Sequence, residues 1–187
     1  MPKELQLPLK LDEIVQLKAG DVVLLSGPML TARDAAHKRL IDEQLSGLVL
    51  PIELSGETIY YVGPAPGKLD AVIGPAGPTT SGRMDPYTPS LLEWGVRGLI
   101  GKGVRNDVVK QGLIKHQAVY FAAVGGAAAL LAQQITSADI IAYADLGTEA
   151  IRRLIVKDFP VIVVNDCHGG DAYADGRSRF STAGSMS

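Results

Sequence analysis

The sequence predicts a single-domain α/β fold, and three features carry that expectation. Beyond residue 70, short apolar runs alternate with helix-patterned segments, the arrangement of a largely parallel sheet with helices packed on it. The 187 residues are 47% hydrophobic and 20% charged, which suits one buried core and is short for two. Between residues 50 and 74 the chain is broken by Pro51, Gly56, Pro64, Pro66 and Gly67. The first half therefore adds short strands and tight turns, a second sheet or β layer, instead of a uniform winding.

Taken in order, residues 5–11 alternate apolar and other side chains as a half-buried strand does, with Pro8 pushing it toward a sheet edge. Residues 21–28 read as a buried strand ending in a turn. Thr31 is the expected cap of a helix over 32–41, with Asp34 in its first turn. Strands are expected at 58–62 and 71–73, a short helix at 90–94, a strand at 98–101, a helix at 107–114 and a strand at 119–122. Gly125 and Gly126 read as a turn opening an Ala-rich helix, followed by strands at 140–143 and 161–165. One domain spans 1–176, and 177–187 form a polar tail with the composition of a flexible segment.

Composition excludes several classes. A formal net charge of -2 lacks the basic footprint of a nucleic-acid binder. The first residues, Met1-Pro2-Lys3-Glu4-Leu5, carry charges where a signal peptide has its apolar core, and no run approaches the roughly twenty apolar residues of a membrane span. The expectation is a soluble, cytoplasmic protein without a nucleic-acid or membrane partner. The one cysteine, Cys167, excludes an internal disulfide and cannot alone hold an iron-sulfur cluster or a four-ligand zinc ion.

The segment with the most chemistry is Gly77-Pro78-Thr79-Thr80-Ser81-Gly82-Arg83-Met84-Asp85. Three hydroxyls and a guanidinium sit between glycines and prolines, as in a loop that binds an anion. Arg33 and Lys102 stand at two other expected strand ends, Lys102 bracketed by Gly101 and Gly103. If the strands run parallel, all three cations reach the edge where α/β proteins place ligands. Taken alone, Arg33 reads as an exposed helix cation. Gly125-Gly126 lacks the lysine and hydroxyl ending of a phosphate loop. His37, His116 and His168 lack neighbours at metal-ligand spacing, and His37, one turn beyond Arg33, is the one worth following. Cys167-His168 are adjacent on an extended segment, where side chains point to opposite faces, so they do not read as a catalytic pair. Glu149 reads equally as a first-turn helix carboxylate.

Read in order, the segments Ser26-Gly27-Pro28, Thr31-Ala32-Arg33-Asp34-Ala35-Ala36-His37, the loop 77–85, Gly101-Lys102-Gly103, Gly125-Gly126-Ala127-Ala128, Leu146-Gly147-Thr148-Glu149-Ala150 and Asp158-Phe159-Pro160 resemble one known family. Residues 5–170 are similar to the β subunit of two-subunit class I fumarases and tartrate dehydratases, equivalent to the carboxy-terminal domain of the single-chain enzymes. The resemblance implies a swivelling β/β/α domain that pairs, as α2β2, with an α subunit holding a 4Fe-4S cluster on three cysteines. It further implies that Arg33 and Arg83 bind substrate carboxylates, that Lys102 and Thr80 join them, and that Thr79 accepts the proton. Two guanidiniums and an ammonium match a dicarboxylate dianion, and they would stabilise the charge that builds as a proton leaves carbon beside a carboxylate. An open iron of the partner's cluster would act as the Lewis acid on the hydroxyl. The run Met84-Asp85-Pro86-Tyr87-Thr88-Pro89 looks closer to fumarase-type chains than to tartrate dehydratases. The expectation is half an active site, inactive without the α subunit and able to form a homodimer in isolation. A non-catalytic dicarboxylate-binding or assembly module is the rival of another class.

Overall fold

The computed structural model describes residues 1–65, 67, 72–123 and 128–181, with the side chains of 179–181 left aside. Seven strands form one mixed sheet: β1 (Lys3–Gln6), β2 (Val22–Thr31), β3 (Thr58–Tyr60), β4 (Gly98–Gly101), β5 (Val119–Ala123), β6 (Ile135–Ala142) and β7 (Ile151–Asn165). They lie in the order β1-β2-β3-β4-β5-β7-β6, and β2 also pairs with β7. The path β2–β3–β4–β5–β7 thus returns to its starting strand. β1 to β5 are parallel neighbours, while β7 runs antiparallel to β2, β5 and β6.

Parallel pairing aligns strand ends, and this is what positions the site. Thr31 pairs with Tyr60, Tyr60 with Ile100 and Gly101 with Ala122, so the carboxyl ends of β2, β3, β4 and β5 share one edge. The helices are α1 (Leu11–Ile14), α2 (Asp34–Leu45), α3 (Thr88–Glu93), α4 (Asp107–Lys115), α5 (Ala128–Gln133) and α6 (Ala172–Ser181).

Period-2 alternation divides the core in two. Tyr60, Ile100, Phe121 and Val163 join Val23, Leu25, Met29 and Phe159 in one cluster. Their neighbours Ile59, Tyr61, Leu99, Tyr120 and Val164 face the other, with Leu40 of α2, Leu91 and Leu92 of α3, and Val109 and Leu113 of α4. The helices therefore cover one face of the sheet, and α1 and α5 reach the other cluster through Ile14 and Leu131.

Several expectations are corrected. β1 stops at Gln6, before the cis Leu7–Pro8 bond, and does not run to residue 11, although it does lie at the edge. β2 passes through Gly27 and Pro28 to Thr31, with a bulge between Leu25 and Gly27. Gly27 has φ +121, and a Cβ there would stand 2.7 Å from the Leu7 carbonyl oxygen, so only glycine lets the two chains cross. The Pro-rich first half contributes β3 to this same sheet, not a sheet of its own. Val72 and Ile73 lie in a bend, with residue 71 outside the described residues. β6 and β7 begin five and ten residues before their expected starts at 140 and 161, at Ile135 and Ile151. α6 runs into the expected tail as far as Ser181, and Gly125 to Ala127 lie outside the described residues.

Candidate active site

Where β2 ends, the chain turns into α2 with Arg33 at the N-cap in an extended conformation. Thr31 does not cap this helix. Its hydroxyl donates to the Ala150 carbonyl and accepts from the Arg152 amide, tying β2 to β7. The cap comes from far along the chain: Glu149 Oε2 accepts from the Ala35 amide at 2.8 Å. A carboxylate there answers an orphan N–H and the positive end of the helix. Glu149 closes a 3₁₀ segment, Ala144–Glu149, opened by Tyr143 at φ +55 and kinked at Gly147.

The same carboxylate faces Arg33, whose Nη2 lies 3.6 Å from Glu149 Oε1. Arg33 is no exposed helix cation, since its side chain is only 23% exposed. It lies over Gly63, where a Cβ would stand 2.7 Å from Nη1 and 3.0 Å from Cδ. Its Nε is buried without a hydrogen-bond partner among the described residues.

The loop expected to bind an anion sits beside it. The Thr79 amide donates to the Tyr61 carbonyl at 2.7 Å, the Lys102 amide to Thr79 at 3.3 Å and the Ser81 amide to Lys102 at 2.9 Å. Thr80 thus bridges to Lys102 in parallel fashion, and the loop extends the sheet by one short rung. Thr79 is half-buried, whereas Thr80 and Lys102 are exposed. Gly101 permits the approach, because a Cβ on it would overlap Ser81 Oγ. The chain then makes a 3₁₀ turn, Ser81–Met84, that carries Arg83. Arg83 Nε donates to Asp34 Oδ1 at 3.1 Å, and Nη2 lies 2.9 Å from Asp34 Oδ2. The Arg83–Asp34 ion pair and the Thr80–Lys102 bridge, together with the chain adjacency of Arg33 to Asp34 and of Thr79 to Thr80, therefore place these residues along the carboxyl edge of β2 and β4.

Beneath the loop lies a polar cluster that sequence reasoning missed. Arg105, its side chain fully buried, donates from Nε to Asp85 Oδ1 at 2.6 Å and from Nη2 to Thr88 Oγ1 at 2.7 Å. Its guanidinium stands 5.4 Å from the Tyr61 ring centre and 5.0 Å from that of Tyr120. Burial opposes its charge, but Tyr61 and Asp85 outweigh burial and raise its pKa. Asp85 Oδ2 also accepts from the Asn106 amide, and Asn106 caps α4 through the Val109 amide. The Tyr120 hydroxyl lies 2.9 Å from Ser81 Oγ and donates to the Gly103 carbonyl. The sequence neighbours Gly103, Val104, Asn106 and Asp107 give no sign that Arg105 turns inward.

His37 is fully buried, with Nδ1 2.8 Å from the Arg33 carbonyl oxygen and its ring stacked on Tyr87 and edge-on to Tyr61. Burial lowers its pKa to about 4, so the imidazole is neutral at pH 7. Cys167 and His168 do not point apart as expected: Cys167 Sγ lies 3.7 Å from His168 Nε2. Asp166 accepts from the Ala19, His168 and Gly170 amides, His168 Nε2 meets the Val15 carbonyl, and burial followed by the charge of Asp166 pushes the Cys167 thiol up. Among the described residues no group of three or more His, Cys, Asp or Glu side chains could hold a metal ion. No described helix is long and apolar enough to cross a membrane.

Comparison with known proteins gives this edge a context. Residues 3–176 match the family described as Fumarase C-terminus. The chain is 36% identical over 174 residues to the aerobic class I fumarate hydratase of Escherichia coli K12, covering 91% of this chain and 32% of that protein. It is 35% identical over 164 residues to fumarate hydratase 2 of Leishmania major, covering 87% and 29%. Against the L(+)-tartrate dehydratase subunit beta of Escherichia coli K12 it is 32% identical over 186 residues, covering 97% and 91%. The chain thus spans about a third of the length of the fumarate hydratases it matches and nearly all of the tartrate dehydratase subunit. On the family match and on that nearly full-length relative, the chain belongs to the Fumarase C-terminus family.

Proposed function

We propose that this chain is the β-type subunit of a hydro-lyase that interconverts fumarate and (S)-malate, and that it supplies half of a shared active site. The observation that carries the reading is the gathering of Arg33, Arg83 and Lys102 beside the Thr79-Thr80 hydroxyls at one edge of the sheet. In this reading the two guanidiniums and the ammonium hold the substrate's carboxylates, and Thr80 adds a hydroxyl contact. Thr79 accepts the proton from the carbon beside a carboxylate, and the cations stabilise the negative charge left behind. An alcohol has a pKa far above neutral, so a neighbouring group must activate Thr79, and this reading assigns that group to the partner. The strand circuit with its outer helices is of the kind a swivelling β/β/α domain requires.

A 4Fe-4S cluster does not fit on this chain. Cluster binding needs several thiolates, and the single cysteine is buried with its thiol pushed up. We assign the cluster to an α subunit that completes an α2β2 assembly.

L(+)-tartrate dehydration is the second reading, favoured by one observation: the chain matches a tartrate dehydratase β subunit over 91% of that protein. Purification with its cysteine-bearing partner, followed by assays on fumarate and L-tartrate, tests both. We expect turnover of fumarate by the complex and none by the chain alone. Turnover of tartrate only would select the second reading. Strong turnover by the lone, metal-free chain, or a colourless homo-oligomer that binds dicarboxylates without converting them, would overturn the hydro-lyase reading.

A further inference from the structure

Asp34 follows Arg33 directly in the first turn of α2, yet its carboxylate reaches across the candidate site to Arg83. The contact is side-on: Oδ1 accepts from Nε at 3.1 Å and Oδ2 lies 2.9 Å from Nη2. A guanidinium offers five N–H donors in a rigid plane. The Nε hydrogen bond, with Oδ2 close to Nη2 as an ion-pair contact and not as a second hydrogen bond, occupies one edge of that plane. The edge formed by Nη1 and the outer N–H of Nη2 is left for a second carboxylate. The Arg83 side chain is 55% exposed and rises from a turn of four residues. Free of Asp34, a chain with four rotatable bonds in that setting would sample many rotamers.

Asp34 is itself held. Its side chain is 28% exposed, and the helix start that bears it is fixed by Glu149 through the Ala35 amide. A carboxylate meeting Arg83 end-on would compete with a ligand for the same fork. One placed side-on orients the fork and leaves its outer edge open.

We propose that Asp34 is a positioning residue that aims the outer edge of Arg83 at a ligand carboxylate; the inference rests on the dicarboxylate reading above. The first test needs no turnover. In ¹⁵N spectra of the full chain, the Arg83 Nε–H of the wild type is expected as a resolved, slowly exchanging signal, and in Asp34→Asn it is expected to merge with the mobile arginines. An Arg83 signal as mobile in the wild type as in the variant overturns the inference.

The second test uses the assembled enzyme. Misalignment by about 1 Å can lower the rate about 100-fold, and loss of a negative charge does not weaken the hold on a dianion. Asp34→Asn is therefore expected to lower kcat about 10- to 100-fold with KM unchanged or reduced, whereas a merely structural loss would reduce the amount of folded enzyme and leave kcat per active site intact. The penalty is expected to vanish in an Arg83→Ala background, because Asp34 acts through Arg83. An active wild type with an unchanged or faster Asp34→Asn variant overturns the inference alone. A wild-type complex that converts neither fumarate nor tartrate overturns the dicarboxylate reading and the inference with it.

Discussion

Replacing Arg105 by methionine would leave the Asp85 carboxylate, itself 8% exposed, buried without its cation. Removing one partner of a buried pair costs about 3–5 kcal/mol, because the remaining charge has lost both its partner and its water. Thr88 also loses the donor at 2.7 Å, and the Tyr61 and Tyr120 faces lose the guanidinium between them. For a chain of this size each kcal/mol shifts Tm by about 2–4 °C, so a fall of about 6–20 °C is expected. Thermal unfolding followed by circular dichroism measures it, with denaturant titration as the check on free energy. The double variant Arg105→Met with Asp85→Leu removes both charges and restores most of the loss, since buried ion pairs are often replaceable by apolar side chains. It leaves the Asn106 amide without its Asp85 acceptor, a residual cost of about 1 kcal/mol. A single variant that loses less than about 1 kcal/mol would refute the account, well short of the buried-pair range. So would a double variant as unstable as the single.

Other perturbations read different parts of the site. Burial holds the folded-state pKa of His37 at about 4 against 6.5, so below pH 6.5 the unfolded chain binds a proton that the folded chain refuses. Stability is full above pH 6.5 and falls as pH drops toward 4, by about 3 kcal/mol from this group; denaturant titrations at several pH values should show the step in the wild type and lose it in His37→Asn. Gly63→Ala places a Cβ 2.7 Å from Arg33 Nη1, 3.0 Å from its Cδ and 3.3 Å from the Thr148 carbonyl oxygen; Arg33 must move, and on the hydro-lyase reading the expected outcome is a KM raised about tenfold in the assembled enzyme. Arg83→Lys keeps the charge and loses the planar fork, so kcat/KM is expected to fall about 100-fold while assembly persists, and wild-type kinetics would remove Arg83 from the site.

Where an element is specified by its own residues, the sequence reading and the structure agree. β4 lies at 98–101 as its apolar run requires, and α4 begins after Asn106, whose side chain accepts from the Val109 amide. β7 shows the opposite case. Its first eight residues, Ile151 to Asp158, include Arg152, Arg153, Lys157 and Asp158 and match neither a buried nor an alternating strand. Residues 151–156 are held extended by β6 on one edge and, from Arg153 on, by β2 on the other, partners about fifteen and more than a hundred residues away respectively. The site divides in the same way. The glycines, hydroxyls and cations of the loop can be read locally, and the structure brings Arg33, Arg83 and Lys102 to one edge. The carboxylates that face two of them cannot be read so. Asp34 looks like an ordinary first-turn residue until the fold sets Arg83 against it, and Glu149 caps a helix that starts over a hundred residues earlier.

Those carboxylates bear on how such a site works under the dicarboxylate reading. Arg33, Arg83 and Lys102 taken alone would present three positive charges to a dianion. With Asp34 and Glu149 counted, the local formal charge is that of one cation, and Lys102 is the exposed member. Three uncompensated cations would bind substrate, product and transition state alike, and uniform tight binding lowers KM without raising kcat. Compensation weakens the ground-state hold while leaving oriented N–H donors to act where charge develops as the proton departs. Replacing either carboxylate by its amide should accordingly tighten the hold on an unreactive dicarboxylate even as turnover falls. That pairing of opposite effects distinguishes groups that orient a site from groups that only attract a ligand to it.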